Sequence, residues 1–266
     1  MTDSSAADAA EPTPDELRAA FFALHADLPR QGPGSDATTR RMLDLAGPLP
    51  ERPRVLDVGC GPGRSALLLA AEAGARVTAI DVHQPFLDAL TAAAAERGLA
   101  DRVTAENRSM DDLPWPDGTF DVVWAEGSAF VMGFERALRS WRRLLAPGGV
   151  LVVTDCEWTT DTPSPEARAF WDAAYPLRTR EENTAVAREA GYRVRAARLQ
   201  PDSDWWPEYY EPLEARAEAA DTSVPGMAEA VAGARAEIAL RRDHGGEYGY
   251  TAFVLRPEGE PTATGD

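Results

Sequence analysis

Val55-Leu56-Asp57-Val58-Gly59-Cys60-Gly61-Pro62-Gly63-Arg64-Ser65-Ala66 is the stretch on which the fold turns. A short apolar run, spelling a buried strand, meets three alternating glycines and passes at once into a helical pattern. Glycine has no side chain and accepts positive φ, so such a turn lets a ligand approach bare backbone. A dinucleotide fingerprint GxGxxG would need glycine at position 64, where Arg64 stands. The spacing is GxGxG, with Asp57 two residues before the first glycine. A carboxylate there repels a pyrophosphate and suits the ammonium of an amino-acid-like ligand. The chemistry favours a nucleoside carrying an amino acid over NAD.

Outward from this turn, strands and helices alternate. After the helix RSALLLAAEAG (64–74) come the strand ARVTAID (75–81), the helix HQPFLDALTAAAAERG (83–98) and the strand DRVTAEN (101–107). TFDVVWAEG (119–127) is the next strand, FERALRSWRRLLAPGG (134–149) a helix and turn, and VLVVTDCEW (150–158) a fifth strand. Repeated in this way, the pattern builds a mostly parallel sheet covered on both faces, an α/β doubly wound fold. Ahead of it, 15–28 reads as a helix with Leu17, Phe21, Leu24 and Leu28 at helical spacing, and 36–47 as a second. Behind it stand a short helix carrying Phe170 and Trp171, a helix over REENTAVAREAG (180–191) and a strand YRVRAARLQ (192–200). Residues 203–246 form a helical insertion before a last strand, EYGYTAFVLRP (247–257). The expected organisation is one domain over 15–256, with a core at 48–200, an N-terminal helical cap at 15–47 and a lid or oligomer contact at 203–246. Tails at 1–14 and 257–266 are expected to be disordered.

Two further acids stand at strand ends. Asp81 closes Val77-Thr78-Ala79-Ile80-Asp81, where an acid accepts from ribose hydroxyls in nucleotide folds. Ser109-Met110-Asp111-Asp112-Leu113-Pro114 follows the third strand; Asp111 can accept from an adenine amine while Met110 packs on the ring, with Asp112 competing for that role. Ammonium, ribose and adenine would then each meet one acid. The competing explanation is that these residues cap helices and turns, as aspartate often does.

Composition removes several alternatives. All 27 basic residues are arginine, so P-loop and Schiff-base lysine chemistry drop out. A formal net charge of −17 argues against nucleic acid. No apolar run approaches the roughly 18 residues of a membrane span, and a signal-peptide pattern is missing from the N-terminus, so a cytoplasmic protein is expected. Two cysteines are too few for a disulfide framework, and no histidine pair has metal-ligand spacing.

Residues 55–66, 77–81, 109–124 and 144–153, including Leu145-Ala146-Pro147-Gly148-Gly149, resemble the motifs of class I S-adenosylmethionine-dependent methyltransferases. The resemblance covers most of 30–200. It implies a Rossmann-like seven-stranded sheet in order 3-2-1-4-5-7-6 with strand 7 antiparallel, and S-adenosylmethionine as cofactor. More narrowly, Arg30-Gln31-Gly32-Pro33-Gly34-Ser35, Ser109-Met110-Asp111-Asp112-Leu113-Pro114, Trp124-Ala125-Glu126-Gly127 and Gly133-Phe134-Glu135-Arg136 resemble a bacterial branch similar to ubiquinone/menaquinone-biosynthesis methyltransferases. The cofactor residues so implied are Asp57, Gly59, Gly61, Gly63, Asp81, His83, Ser109, Met110, Asp111, Glu126 and Gln31.

Ligands of an open sheet lie where strand order reverses, here between the first and fourth strands. Glu126, at the end of the fourth strand, therefore faces the reacting methyl group. It serves either as a base or acceptor contact, or as a tie for the N-terminal loop or the cofactor. His25 is a second candidate for catalysis, weighed against a core or capping role. The Asn/Asp-Pro-Pro-aromatic sequence usual in nucleobase amine methylation is missing at this place. Trp171, Tyr175, Trp205, Trp206 and Tyr209 are candidates for an acceptor pocket or for fastening a lid. The expected partner is a small-molecule acceptor, methylated on O or N, with no nucleic acid and no membrane; a homodimer stays open. The alternatives are another adenosylmethionine-using transferase and a non-catalytic cofactor-binding module.

Overall fold

The computed structural model describes residues 11–259. Its strands are β1 (Arg54–Val58), β2 (Arg76–Asp81), β3 (Val103–Asn107), β4 (Phe120–Ala125), β5 (Leu145–Trp158), β6 (Arg178–Thr179), β7 (Tyr192–Leu199) and β8 (Tyr248–Pro257). The helices are α1 (Pro14–Leu24), α2 (Asp36–Ala46), α3 (Arg64–Glu72), α4 (Gln84–Glu96), α5 (Phe134–Trp141), α6 (Pro165–Ala174), α7 (Arg180–Glu189), α8 (Glu211–Ala219) and α9 (Met227–His244). The sheet runs β3-β2-β1-β4-β5-β8-β7, with β8 antiparallel to both neighbours. With β6 set aside, this is the expected 3-2-1-4-5-7-6. The addition is β6, a two-residue strand that pairs in parallel with Glu157 and Trp158 at the end of β5.

Strand alternation sorts the core into two layers. Val55, on β1, packs with Met42, Leu69, Leu87 and Trp124 under α2, α3 and α4. Leu56 and Val58 point the other way, into Phe134, Leu138, Trp141 and Phe253 under α5 and α7. Asp57 shares the side of Val55, so a carboxyl sits at the α3 face of the central strand and is register partner to Trp124. The reversal of strand order between β1 and β4 opens the crevice beside it.

A third apolar cluster joins α1, α6, α8 and α9. It absorbs Trp171, Trp205 and Tyr209, with the guanidinium of Arg241 3.9 Å over the Trp205 ring. Before α8, residues 202–205 form a 3-10 turn and 206–210 a π turn. The first helix differs from expectation. It starts one residue early, because Thr13 and Glu16 form a capping box, and it stops at Leu24 rather than 28. His25 caps it and Asp27 takes a positive φ. Consequently Leu17 and Phe21 are 39% and 49% exposed, and the buried face is Ala20 and Leu24. No helix among the described residues is long and apolar enough to cross a membrane. The expectation for 1–14 falls mostly, and that for 257–266 largely, outside the described residues.

Candidate active site

The glycine turn after β1 is pinned to β2 before any ligand is considered. The N–H groups of Gly59 and Cys60 both donate to the Ile80 carbonyl at 2.9 Å. Asp81 holds the turn from the side: Oδ2 accepts from Gly61 N and Oδ1 from His83 N, each at 2.9 Å. Gly59 and Gly61 have φ of 70° and 54°. A Cβ on Gly59 would lie 2.5 Å from Cβ of Ser128, whose hydroxyl donates to the Val58 carbonyl. Gly63 differs from the other two. It is absent from the cleft wall, and its missing Cβ would meet Leu90 Cδ1 of α4 at 2.2 Å. Its role is close helix packing, with φ at 81° opening α3.

Over this turn lies a cavity of about 340 Å³, within the range of small-molecule sites. Asp57, Gly59, Gly61, Asp81, Ser109, Met110, Asp111, Gln31 and Glu126 all line it. Asp57 is 1% exposed and accepts from Ser65 Oγ at 2.8 Å. Burial pushes its carboxyl up to about 7, and the negative charges of Glu126 and Asp81 add to the rise. A buried acid in that condition gains from any cation brought beside it. At the other end, Asp111 lines the cleft and pairs with Arg136 at 2.6 Å, whereas Asp112 is off the wall and 80% exposed. Of the two adjacent acids, Asp111 is the one in place.

Glu126 is tied on both oxygens. Oε1 accepts from Trp124 Nε1 at 2.8 Å and Thr39 Oγ1 at 2.9 Å, and Oε2 from Arg30 Nη1 at 3.3 Å. Burial raises its pKa, opposed by the Arg30 charge and these hydrogen bonds. Arg30 is the hub. Its Nε donates to Glu208 at 2.8 Å and Nη2 to Asp36 at 3.0 Å. Arg64 reinforces the same group through Asp36, at 2.7 and 3.1 Å. Sequence reasoning singled out Glu126 but not Arg30, Asp36, Arg64 or Glu208 as parts of one network. The available signal was an arginine, Arg30, opening a Pro/Gly loop.

Neither site histidine lines the cleft. His25 presents Nδ1 to the Phe21 carbonyl at 2.9 Å and stacks on the Phe21 ring, so it completes the end of α1 instead of reaching the crevice. Burial lowers its pKa. His83 stacks on Phe22 with centroids 3.9 Å apart, clasping α1 to the turn before α4. The aromatic side chains that do line the cleft are Phe21, Phe22, Phe86 and Phe130. Trp171, Trp205, Trp206, Tyr209 and Tyr175 do not: the first three and Tyr209 serve the α8–α9 packing, and Tyr175 lines a separate cavity. Among the described residues no group of three or more His, Cys, Asp or Glu could hold a metal. Both cysteines are buried, and burial pushes their thiols up.

Residues 55–149 match the family model of a methyltransferase domain. The chain is 34% identical over 170 residues to 27-O-demethylrifamycin SV methyltransferase of Amycolatopsis mediterranei, covering 61% of this chain and 62% of that one. It is 34% identical over 122 residues to dimethylglycine N-methyltransferase of Parasynechococcus marenigrum, covering 46% and 44%. It thus spans about half the length of the curated relatives it matches. Among solved structures, an S-adenosylmethionine-dependent methyltransferase from Geobacter sulfurreducens in complex with S-adenosyl-L-homocysteine superposes with a TM-score of 0.77 at 22% identity, covering 90% and 98%. The [4+2]-cyclase SpnF superposes with a TM-score of 0.72 at 26% identity, covering 94% of both chains. Residues 55–149 thus resemble a methyltransferase domain, and the sheet around them has the fold of the S-adenosylmethionine-dependent methyltransferase class. Within that class the matched relatives are named for both O- and N-methylation, and the quinone-biosynthesis branch is not specifically supported.

Proposed function

We propose that this chain binds S-adenosylmethionine in the cleft over β1 and transfers its methyl group to oxygen or nitrogen of a small molecule. One observation carries this: a fully buried carboxyl, Asp57, raised to about 7, beside a turn of bare backbone and within the field of two more acids. That arrangement calls for a cationic ligand with a part that lies flat on glycine. A sulfonium nucleoside bearing an ammonium group fits it; a dinucleotide does not.

On this proposal Asp57 takes the ammonium and Asp81, already oriented by Gly61 and His83, receives the ribose hydroxyls with its remaining lone pairs. Ser109, Met110 and Asp111 take the adenine end, and Gln31 covers the turn from the N-terminal loop. The bound cofactor supplies a methyl carbon activated by a good leaving group. The chain's own work is therefore alignment and exclusion of water, which proximity and a dry site can convert into most of the rate. Phe22 and Phe86 give the cleft an apolar wall on the α1 and α4 side. Glu126 acts as a bolt between β4, α2 and the N-terminal loop, since both its oxygens are engaged, and His25 has no place in the chemistry.

The test begins with calorimetric titration of S-adenosylhomocysteine into wild type and Asp57→Asn, followed by mass spectrometry of candidate acceptors after incubation with S-adenosylmethionine. Tight binding lost in the variant, with products heavier by one methyl, is the expected result. Absence of binding to wild type would sink the proposal.

A second reading is favoured by the match to SpnF over nearly the whole of both chains, together with a Glu126 whose two oxygens are both engaged. There the cofactor would be a structural ligand and the substrate would rearrange. The same mass measurement separates the two, because a cyclisation changes retention but not mass.

A further inference from the structure

A second cavity, of about 510 Å³, adjoins the first. Two contacts join them. Phe130, on the wall of the first, meets Tyr175, on the wall of the second, edge to face at 5.9 Å. Asp111 and Arg136 bridge the same boundary at 2.6 Å. In a chain with a net charge of −17, this second wall carries three arginines, Arg136, Arg139 and Arg178, against one acid, Glu135. Arg139 and Glu135 engage each other at 2.9 Å, and Arg139 also donates to the Glu189 carbonyl, while Arg136 is held by Asp111. Arg178, half-buried on β6, forms no ion pair with a carboxylate among the described residues. Its field reaches the buried carboxyl of Asp155, which hydrogen bonds to Tyr175 and Asn183 instead. The N-terminus of α5, capped by Gly133 without a side chain, opens on the same space and adds its positive end. Between the two cavities the wall is apolar and open: Phe130 and Val131 are 42% and 66% exposed.

We infer that the acceptor is an apolar acid whose oxyanion, a carboxylate or a phosphate, is held in the second cavity by Arg178, the wall arginine that no carboxylate pairs, beside the N-terminus of α5. Its apolar body lies along Phe130 and Val131, and its reacting heteroatom reaches the cleft over β1. Guanidinium groups suit this task because their planar fork matches both oxyanions. The two-residue strand β6 gains a purpose: pairing with β5 fixes the backbone of Arg178 at the cavity edge. This inference deepens the methyl-transfer proposal and rests on it for the direction in which the acceptor points.

The test titrates benzoate, phenyl phosphate and the neutral ester methyl benzoate into wild type and an Arg178→Gln variant, each saturated with S-adenosylhomocysteine. Benzoate or phenyl phosphate should bind wild type and weaken by about 10- to 100-fold in the variant, the loss expected for charge-assisted hydrogen bonds. Which of the two binds more tightly identifies the oxyanion. S-adenosylhomocysteine affinity and melting temperature should be unchanged in the variant, which separates a lost subsite from a lost fold. Failure of both anions to bind wild type, equal binding by methyl benzoate, or unchanged anion affinity in the folded variant would each overturn the inference. If S-adenosylhomocysteine itself does not bind, the failure belongs to the methyl-transfer proposal, and the anion titrations on the protein alone still report on the cavity.

Discussion

At the scale of single residues the cleft is governed by protonation. Asp57 is held up to about 7 by burial and by neighbouring negative charge, so near neutrality it is half protonated and poorly prepared for an ammonium. A bound cation favours its anion, so binding must release a proton around that pH. Affinity for S-adenosylhomocysteine should rise by about tenfold per pH unit below 7 and level off above it. Calorimetry in buffers of different ionisation enthalpy measures the proton directly, and the weak binding left in Asp57→Asn should show neither the release nor the pH dependence. Proton-neutral binding at pH 6.5 would remove Asp57 from the ammonium role. A second expectation concerns Gly63, whose glycine is demanded by Leu90 and a positive φ and not by ligand. Gly63→Ala should cost about 1–3 kcal/mol in urea unfolding while leaving cofactor affinity nearly intact in the folded fraction. The glycine turn and Asp57 were legible because they are contiguous in sequence, and Asp81 because it closes a strand. Asp111 is preferred to Asp112 on the sequence and is the one that lines the cleft, but the local signal is weak, since adjacent residues differ only in which way the loop turns them.

At the scale of elements, the N-terminal loop is fastened to the crevice by Arg30, whose three acidic partners come from β4's end, α2 and the π turn before α8. The bond to Glu208 crosses 178 residues, a distance over which no sequence period carries information. The same limit explains the aromatic residues of 158–210. Their density was plain, but whether a ring faces a ligand or a helix depends on how α8 and α9 dock, and docking against α1 turned Trp171, Trp205 and Tyr209 inward. Arg30→Ala should be far more damaging than its position in a loop suggests. It leaves Glu126 with no cation inside a buried site, a situation costing about 3–5 kcal/mol when one partner of such a pair is removed. Arg30→Lys keeps the charge but cannot span three carboxylates, so it should recover only part of that stability. Chemical denaturation of the two variants checks the order; equal stability of wild type and Arg30→Ala would show that the network is ornamental.

At the scale of the whole molecule, the doubly wound core was legible because strand and helix alternate with clean periods from 53 to 158 and right-handed crossovers leave few arrangements, whereas the order of the last strands came from the family resemblance. Two-residue β6 was invisible, as two residues hold no pattern. The global consequence of the buried acids is a stability that runs against the usual trend. Asp57 and Asp155 both titrate near 7 in the folded chain, well above the ordinary aspartate value of 3.8. Between those limits the folded state binds more protons than the unfolded one, so stability declines as pH rises from about 4 to 7. Asp36 and Asp121, lowered by their arginine partners against a rise from burial, act oppositely but only on the acid side of 4. His25, lowered by burial, opposes the decline below about 6.5. One histidine is outweighed by two carboxyls with larger shifts, and the charge of −17 adds self-repulsion as the remaining acids ionise. The ligand-free protein should therefore melt about 5 °C or more higher at pH 5.5 than at pH 8, a shift of the size that a few kcal/mol produces in a chain of this length. Asp155→Asn should flatten part of the slope. Saturating S-adenosylhomocysteine should flatten the share belonging to Asp57, because the bound cation removes the cost of its charge. Scanning calorimetry across that range, with and without ligand, decides the matter: a melting temperature that climbs with pH in the ligand-free protein would mean that Asp57 and Asp155 are ionised well below neutrality.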